Sequence, residues 1–359
     1  MWLLECMMSE LVIRKYQLGD EQGINNLYNT VFGVDRSLAA WHWKYDDSPR
    51  GATKLIYVLE DEGRIVGQYA NLTLDALYRG ELLFAAQPVD IAIHADYRGR
   101  RLIGRLFQTQ PALARAEGVR FGFGFPNEAH YRAGKQVLGY RDVGRILLMR
   151  RYLNPGLVLG KLTRSRRVLE ATRPLGNKLA GLLYRRGPGR PEGEWTIEDI
   201  AHFDERFDSF CERMTHVYPI MVARHRQYLN WRYVDRPDVK YTTYAAMQGG
   251  ELQGYVVLST QRRIVLQGLV ADLLAVDDAT TLLLLRRALT HFLDQGADMV
   301  SCWALPHTGL YRTLQHLSFF RRRVAAVLVC MVFDHEMIDE AFLGDPLNWY
   351  VAMGDSDGV

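Results

Sequence analysis

Cysteine is scarce in this 359-residue chain: four residues, Cys6, Cys211, Cys302 and Cys330, with no C-x-x-C pair among them. That spacing excludes a thiolate zinc site and a disulfide framework, and fits a reducing cytoplasm, the expected location. Long apolar runs are missing too; none reaches the roughly 18–20 residues of a membrane span. The opening "MWLLECMMSELVIRKY" has no basic leader and is too short for a good signal peptide. Met8 is a second candidate start, because the strand-like "LVIRKY" follows it. There is no G-K-[ST] phosphate loop and no G-x-G-x-x-G turn, so nucleoside-triphosphate and dinucleotide sites of those kinds are excluded.

Excess charge is also nearly absent, at +3 overall. It is unevenly spread: residues 150–190 hold eleven Lys/Arg against one acidic residue, Glu170. The remainder is therefore acidic, and nucleic acid is not an expected partner. A weak contact with an anionic membrane surface, if made, maps to 150–190. The bland alternative for this window is a linker helix pair packed by its apolar face.

What the chain does contain is an internal repeat. "HWKYDDSPRG" at 42–51 resembles "NWRYVDRPDV" at 230–239, each reading Trp, basic, Tyr, three residues, Pro. Three more matches follow in order. "GRIVGQYANLTL" pairs with "GELQGYVVLST", "PVDIAI" with "VADLLA", and "GFPNEAHYRAGKQVLGY" with "ALPHTGLYRTLQHLSFF". The third match sets Asp90 opposite Asp272, and the fourth Tyr131 opposite Tyr311. The expected organisation is a first domain at 8–150, a basic linker at 151–195, a second domain at 196–340 and a tail at 341–359. Helices are expected over 20–32, 101–117 and 127–138, from apolar residues at i, i+3, i+4 spacing. "KLIYVLEDEGRIVGQYANLTL" reads as two strands about a turn, and "LLFAAQPVDIAIH" and "VRFGFGF" as further strands. This mixed order implies an α/β fold, each domain a sheet flanked by helices. The repeated aromatics Trp41, Trp43, Tyr45, Trp231 and Tyr233 read first as core, with a sugar-stacking platform as the alternative.

The stretch "YRGRRLIGRLF" at 97–107 joins a strand to a helix. First-turn N–H groups have no intrahelical partner and the dipole is positive there, so a tight turn at Gly99 aims donors at one point, a good phosphate cradle. An ordinary charged helix start is the plain alternative.

"VDIAIHADYRGRRLIGRLF" resembles the acetyl-CoA signature of the GCN5-related N-acetyltransferases, the GNAT superfamily. Arg98 matches the first position of (Arg/Gln)-x-x-Gly-x-(Gly/Ala), while Arg101 and Ile103 stand where that pattern has small residues and Gly104 partly compensates. "FPNEAHYRAGKQVLGY" resembles the segment near the thiol end of coenzyme A, and the Trp-basic-Tyr element is similar to GNAT-like proteins associated with polysaccharide or cell-envelope genes. The resemblance implies two tandem GNAT-like domains, each with a mixed, mostly antiparallel sheet. It implies acetyl-CoA as the acyl donor. Ile91, Ala92 and Ile93 would contact pantetheine, Arg98, Gly99, Arg100, Arg101, Leu102, Ile103 and Gly104 the pyrophosphate, and Asn127 the thiol end. Only the first half carries such a loop. In the second, Asp277 and Asp278 stand there and would repel phosphate, which implies a degenerate copy.

Amide formation from a thioester needs a base for the amine and an acid for the thiolate. Asp90, alone in an apolar strand, is the candidate base or amine-binding group, and Tyr131 the candidate acid. Both have repeat partners, which favours a packing role for each. Lys135 and His94 are weaker candidates. The leading expectation is N-acetylation of a primary amine on a small molecule, an amino sugar among the possibilities, by a monomer or homodimer without metal. A Fem-like aminoacyl transferase and a non-catalytic GNAT-fold scaffold are the rivals.

Overall fold

The computed structural model describes residues 11–99, 102–154, 194–262 and 264–358. The linker expectation, and with it most of the basic window, lies outside the described residues. The chain divides into two compact units. Unit 1 comprises Met1–Ala76, Leu82–Val143 and Val329–Gly344; unit 2 comprises Leu77–Glu81, Gly144–Leu328 and Asp345–Val359. These are not the two contiguous domains expected from the repeat, because each unit takes in a strand from the other half of the sequence.

Unit 1 begins with β1 (Val12–Lys15), α1 (Glu21–Phe32) and α2 (Leu38–Tyr45). Next come β2 (Leu55–Asp61), β3 (Arg64–Tyr78) and β4 (Glu81–Ile93). Then follow α3 (Leu102–Ala116), β5 (Phe121–Gly124) and α4 (Glu128–Val137). Its strands run in the order β1-β2-β3-β4-β5. The β1–β2 and β2–β3 pairs are antiparallel and β4–β5 is parallel. On the far side of β5 lies the end of β13 (Phe320–Val332), antiparallel, with Val329 opposite Gly124 and Val332 opposite Phe121. α1 stops where Gly33 takes a left-handed φ of 65°, its N–H donating to Asn29 C=O. Ser37 caps α2 by accepting from Ala40 N–H. α3 buries Leu102, Leu106 and Phe107 on Leu59, Val66, Tyr69 and Ile93 of the sheet. Trp41, Trp43 and Tyr45 are buried, as their core reading required.

Unit 2 takes most of β6 (Arg141–Tyr152), then β7 (Trp195–Ile200), α5 (Glu205–Met214), β8 (Ile220–Val222) and α6 (Arg226–Tyr233). It continues with β9 (Tyr241–Gln248), β10 (Glu251–Arg262), β11 (Leu266–Ala275), α7 (Asp278–Asp294), β12 (Met299–Ala304) and α8 (Gly309–His316). Its strand order is β6-β12-β11-β10-β9-β7, with β11–β12 parallel and β6–β12 antiparallel. The short helix α9 (Glu340–Gly344) returns to unit 1. Each unit is thus a mixed, mostly antiparallel sheet flanked by helices. The last strand of each sequence repeat serves the sheet built on the other repeat.

Candidate active site

In unit 1 the parallel β4–β5 ladder holds only Ala85–Phe121 and Ala86–Gly122. On its other side β5 pairs with β13 along Phe121–Gly124 and ends there, while β4 runs on through Ile91, Ala92 and Ile93. The two strands part, and β4 leads straight into the glycine turn and α3. His94 N–H donates to Val66 C=O, so the end of β4 stays tied to β3. Arg98 Nε donates to Ile93 C=O at 3.3 Å, folding the turn back on the strand. Gly99 has φ +79°, a conformation that L side chains rarely take, so glycine is required there. Arg100 and Arg101 lie outside the described residues. Leu102 is buried and Ile103 packs on the same core, so these two position the helix through their side chains. A Cβ on Gly104 would meet nothing within 4 Å. Glycine costs about 1 kcal/mol against alanine inside a helix, and among the described residues no neighbour demands it here. An approaching phosphate would. The strand edge, the turn and Gly104 therefore fit the donor that the loop implies.

Asp90 sits in β4 with φ +50°, a strained value for a residue other than glycine. Lys44 Nζ donates to its Oδ1 at 2.7 Å and Tyr45 OH to its Oδ2 at 2.8 Å. Arg36 Nη1 also donates to Oδ2, and Gln68 Nε2 donates to the Asp90 carbonyl at 2.5 Å. Burial alone would raise the carboxyl. The charges of Lys44 and Arg36 and the bonds from Lys44 and Tyr45 outweigh it and hold the group below the usual carboxylate range. A carboxylate so occupied is a poor proton acceptor for an amine. The geometry gives Asp90 the part of a keystone binding the α1–α2 connection and α2 to the kinked strand, the packing role that its repeat partner favours.

Tyr131 stands in a different side-chain cluster. On α4, its OH lies 2.8 and 2.9 Å from the two oxygens of Asp142, which also accepts from Lys135 Nζ at 3.4 Å. Asn127 caps α4, its Oδ1 accepting from His130 N–H at 3.0 Å, which leaves its amide N–H groups for other use. His130 is enclosed by Tyr69, Phe107 and Tyr140 and bonded to Tyr140 OH at 2.9 Å. Burial pushes its pKa down to about 4. His94 lies on a cavity of about 450 Å³ lined by Arg14, Asp20, Asn26, Thr30 and Arg64. Arg64 Nη2 approaches His94 Nε2 at 3.1 Å.

Unit 2 repeats the design in filled form. The β11–β12 ladder ends at Val270–Cys302, and Asp272 follows. Its Oδ2 accepts from Tyr233 OH at 3.1 Å, Tyr255 OH at 3.2 Å and Arg224 Nε at 3.4 Å. Tyr350 OH donates to Asp272 Oδ1 at 2.6 Å and lies 2.8 Å from Leu273 C=O, the repeat counterpart of Ile91. The tail thus occupies the parting between strands, where Trp349, Tyr350 and Val351 line what is left, about 140 Å³. At the place that matches the glycine turn, Asp277 caps α7, accepting from Thr280 N–H at 2.7 Å. A carboxylate of the chain already takes a first-turn donor there.

Arg36 and Arg224 were missed from the sequence. Their signal lies just upstream of the Trp-basic-Tyr element, where "VDRSLAAWHWKY" aligns with "VARHRQYLNWRY". In both units the arginine, the strand aspartate and the motif tyrosine meet.

The fold defines a class, the acetyltransferase-like mixed α/β sheets. Residues 12–135 match the family model described as Acetyltransferase (GNAT) domain, so this part of unit 1 is similar to a GNAT domain, a fold that supports acyl transfer. Among solved structures, the chain is similar to a GCN5-related N-acetyltransferase from Anabaena variabilis ATCC 29413, at 13% identity and TM-score 0.64, over 90% of this chain and 73% of that one. It is also similar to a GCN5-related N-acetyltransferase from Kribbella flavida, at 14% identity and TM-score 0.59, over 90% and 71%. Eis1 from Mycobacterium abscessus gives 16% identity and TM-score 0.56, over 94% and 76%. At these identities the likeness is one of fold. No curated protein matches the chain in sequence. Among the described residues no helix is long and apolar enough to cross a membrane.

Proposed function

We infer that unit 1 transfers an acetyl group from acetyl-CoA to a primary amine of a small molecule, and that unit 2 is a non-catalytic copy. One observation carries this reading: at equivalent places the first unit has a strand edge parted from its neighbour and a glycine turn, and the second has Tyr350 and Asp277. In the reaction the amine nitrogen attacks the thioester carbonyl, a C–N bond forms, the C–S bond breaks and the thiolate takes a proton. Backbone groups of Ile91–Ile93 would hold the pantetheine arm in line, and first-turn donors of α3 with Arg98 would hold the pyrophosphate. Tyr131 OH would give a proton to the thiolate and recover it through Asp142, to which it is bonded. With Asp90 fully engaged, the amine enters neutral, and the proton that its nitrogen sheds after attack passes to water.

Calorimetric titration with acetyl-CoA tests this directly, wild type beside the Arg98→Ala variant. Micromolar binding that weakens in the variant supports it. Absence of binding by the wild type overturns it.

A further inference from the structure

The paired arginines differ in one respect. Arg224 uses its whole guanidinium: Nε reaches Asp272, Nη1 donates to Val222 C=O at 2.8 Å, and Nη2 donates to Asp355 Oδ1 at 2.6 Å. Asp355 comes from the tail, in the turn Met353–Asp355. Arg36 donates through Nε to Asn25 Oδ1 at 2.7 Å and through Nη1 to Asp90, with its guanidinium stacked 3.7 Å over the Tyr28 ring. Its Nη2 is buried and has no hydrogen-bond partner among the described residues. A buried donor of a charged group left unsatisfied is costly, so the position selects for an acceptor that arrives from outside.

The second unit shows which acceptor fits. Arg224 holds a second carboxylate beside the strand aspartate, and that carboxylate belongs to the same tail whose Tyr350 bonds Asp272 and Leu273 C=O. We propose that Arg36 reads a carboxylate on the acceptor, so that the substrate of unit 1 is an amine bearing a carboxylate, of the amino-acid class. This rests on the acyl-transfer reading of unit 1 and narrows it. Arg36 lies on the short connection between α1 and α2, where Val34 and Asp35 are exposed and Phe32 presents an apolar face. The guanidinium holds Nη2 in a fixed plane as the donor for that carboxylate, a geometry that lysine cannot supply.

The test uses the full chain and matched pairs of amines, α- and ω-amino acids against the same molecules lacking the carboxylate. Release of free coenzyme A thiol gives kcat/KM for each pair. The carboxylated member is expected to be favoured about 10–100-fold, the worth of a hydrogen bond to a charged group. Arg36→Lys reduces that preference and Arg36→Gln removes it, while the acetyl-CoA Kd is unchanged. The wild-type comparison stands alone if either variant fails to fold. Equal use of both members, or preference for the decarboxylated amine, overturns the proposal. If no pair is turned over, calorimetric binding of the same pairs decides, and absent or equal binding overturns it as well. Acetyl-CoA titration separates the two claims. Loss of acetyl-CoA binding sinks acyl transfer, whereas acetyl-CoA binding without carboxylate preference sinks only the role of Arg36.

Discussion

Replacing Asp355 with alanine tests the idea that unit 2 is built around its own tail. The carboxylate accepts two bonds, from Arg224 Nη2 at 2.6 Å and from Ala352 N–H at 2.7 Å, and Arg224 is fully buried. Alanine removes both acceptors and leaves a buried guanidinium N–H group without one. Breaking a buried pair by deleting one partner costs about 3–5 kcal/mol. At about 2–4 °C per kcal/mol for a body of this size, the melting transition of unit 2 falls by about 6–20 °C. Asparagine behaves differently. Burial, with repulsion from Asp272 added, raises the Asp355 carboxyl above its ordinary value in spite of Arg224, so little is lost when the charge is removed and an oxygen still faces Nη2. Asp355→Asn is expected to cost less than about 1.5 kcal/mol. Differential scanning calorimetry of the two variants beside wild type reads both numbers. A shift under about 3 °C for Asp355→Ala would refute the reasoning, because it would mean that Arg224 does not need the tail.

Other outcomes follow from unit 1. Gly99→Ala places a Cβ on a residue at φ +79° and is expected to weaken acetyl-CoA binding about tenfold, from roughly 1–2 kcal/mol of backbone strain, as read by calorimetry. Tyr131→Phe is expected to lower kcat by about 10²-fold or more with little change in KM for acetyl-CoA, the usual effect of losing a general acid. Burial holds the His130 pKa at about 4, below its ordinary 6.5, so the folded state binds fewer protons. Its contribution to stability is full above pH 6.5 and is lost as pH falls toward 4, amounting to about 3 kcal/mol. Urea midpoints at pH 7.5, 5.5 and 4.5 should show this decline in wild type and a flatter profile in His130→Phe.

Much of the architecture was open to reading. Helices expected over 20–32, 101–117 and 127–138 stand at Glu21–Phe32, Leu102–Ala116 and Glu128–Val137, because each carries an apolar face at helical spacing on a sheet long enough to cover it. The repeat foretold the matched aspartates and the buried aromatics. Three things were hidden. Arg36 sits among polar loop residues, where a charge reads as solvated, and only the fold shows it turned inward on Asp90. The tail "LNWYVAMGDSDGV" is apolar and then acidic in sequence, and nothing in it shows that Asp355 is buried against an arginine more than a hundred positions earlier. The exchange of last strands was invisible because alternation marks a strand without naming its neighbour.

That exchange sets a timetable for synthesis. Unit 1 ends its first run of sequence at Val143 but lacks a strand until Val329–Gly344 is made. At about 5–20 residues per second, translation leaves it incomplete for about 10–40 s. During that wait β5 shows an unpaired edge to the cell, a template for foreign strands. A ribosome-bound or chaperone-held intermediate is the expected state of the nascent chain, and a cut in the segment joining the halves before translation ends would leave neither unit able to close.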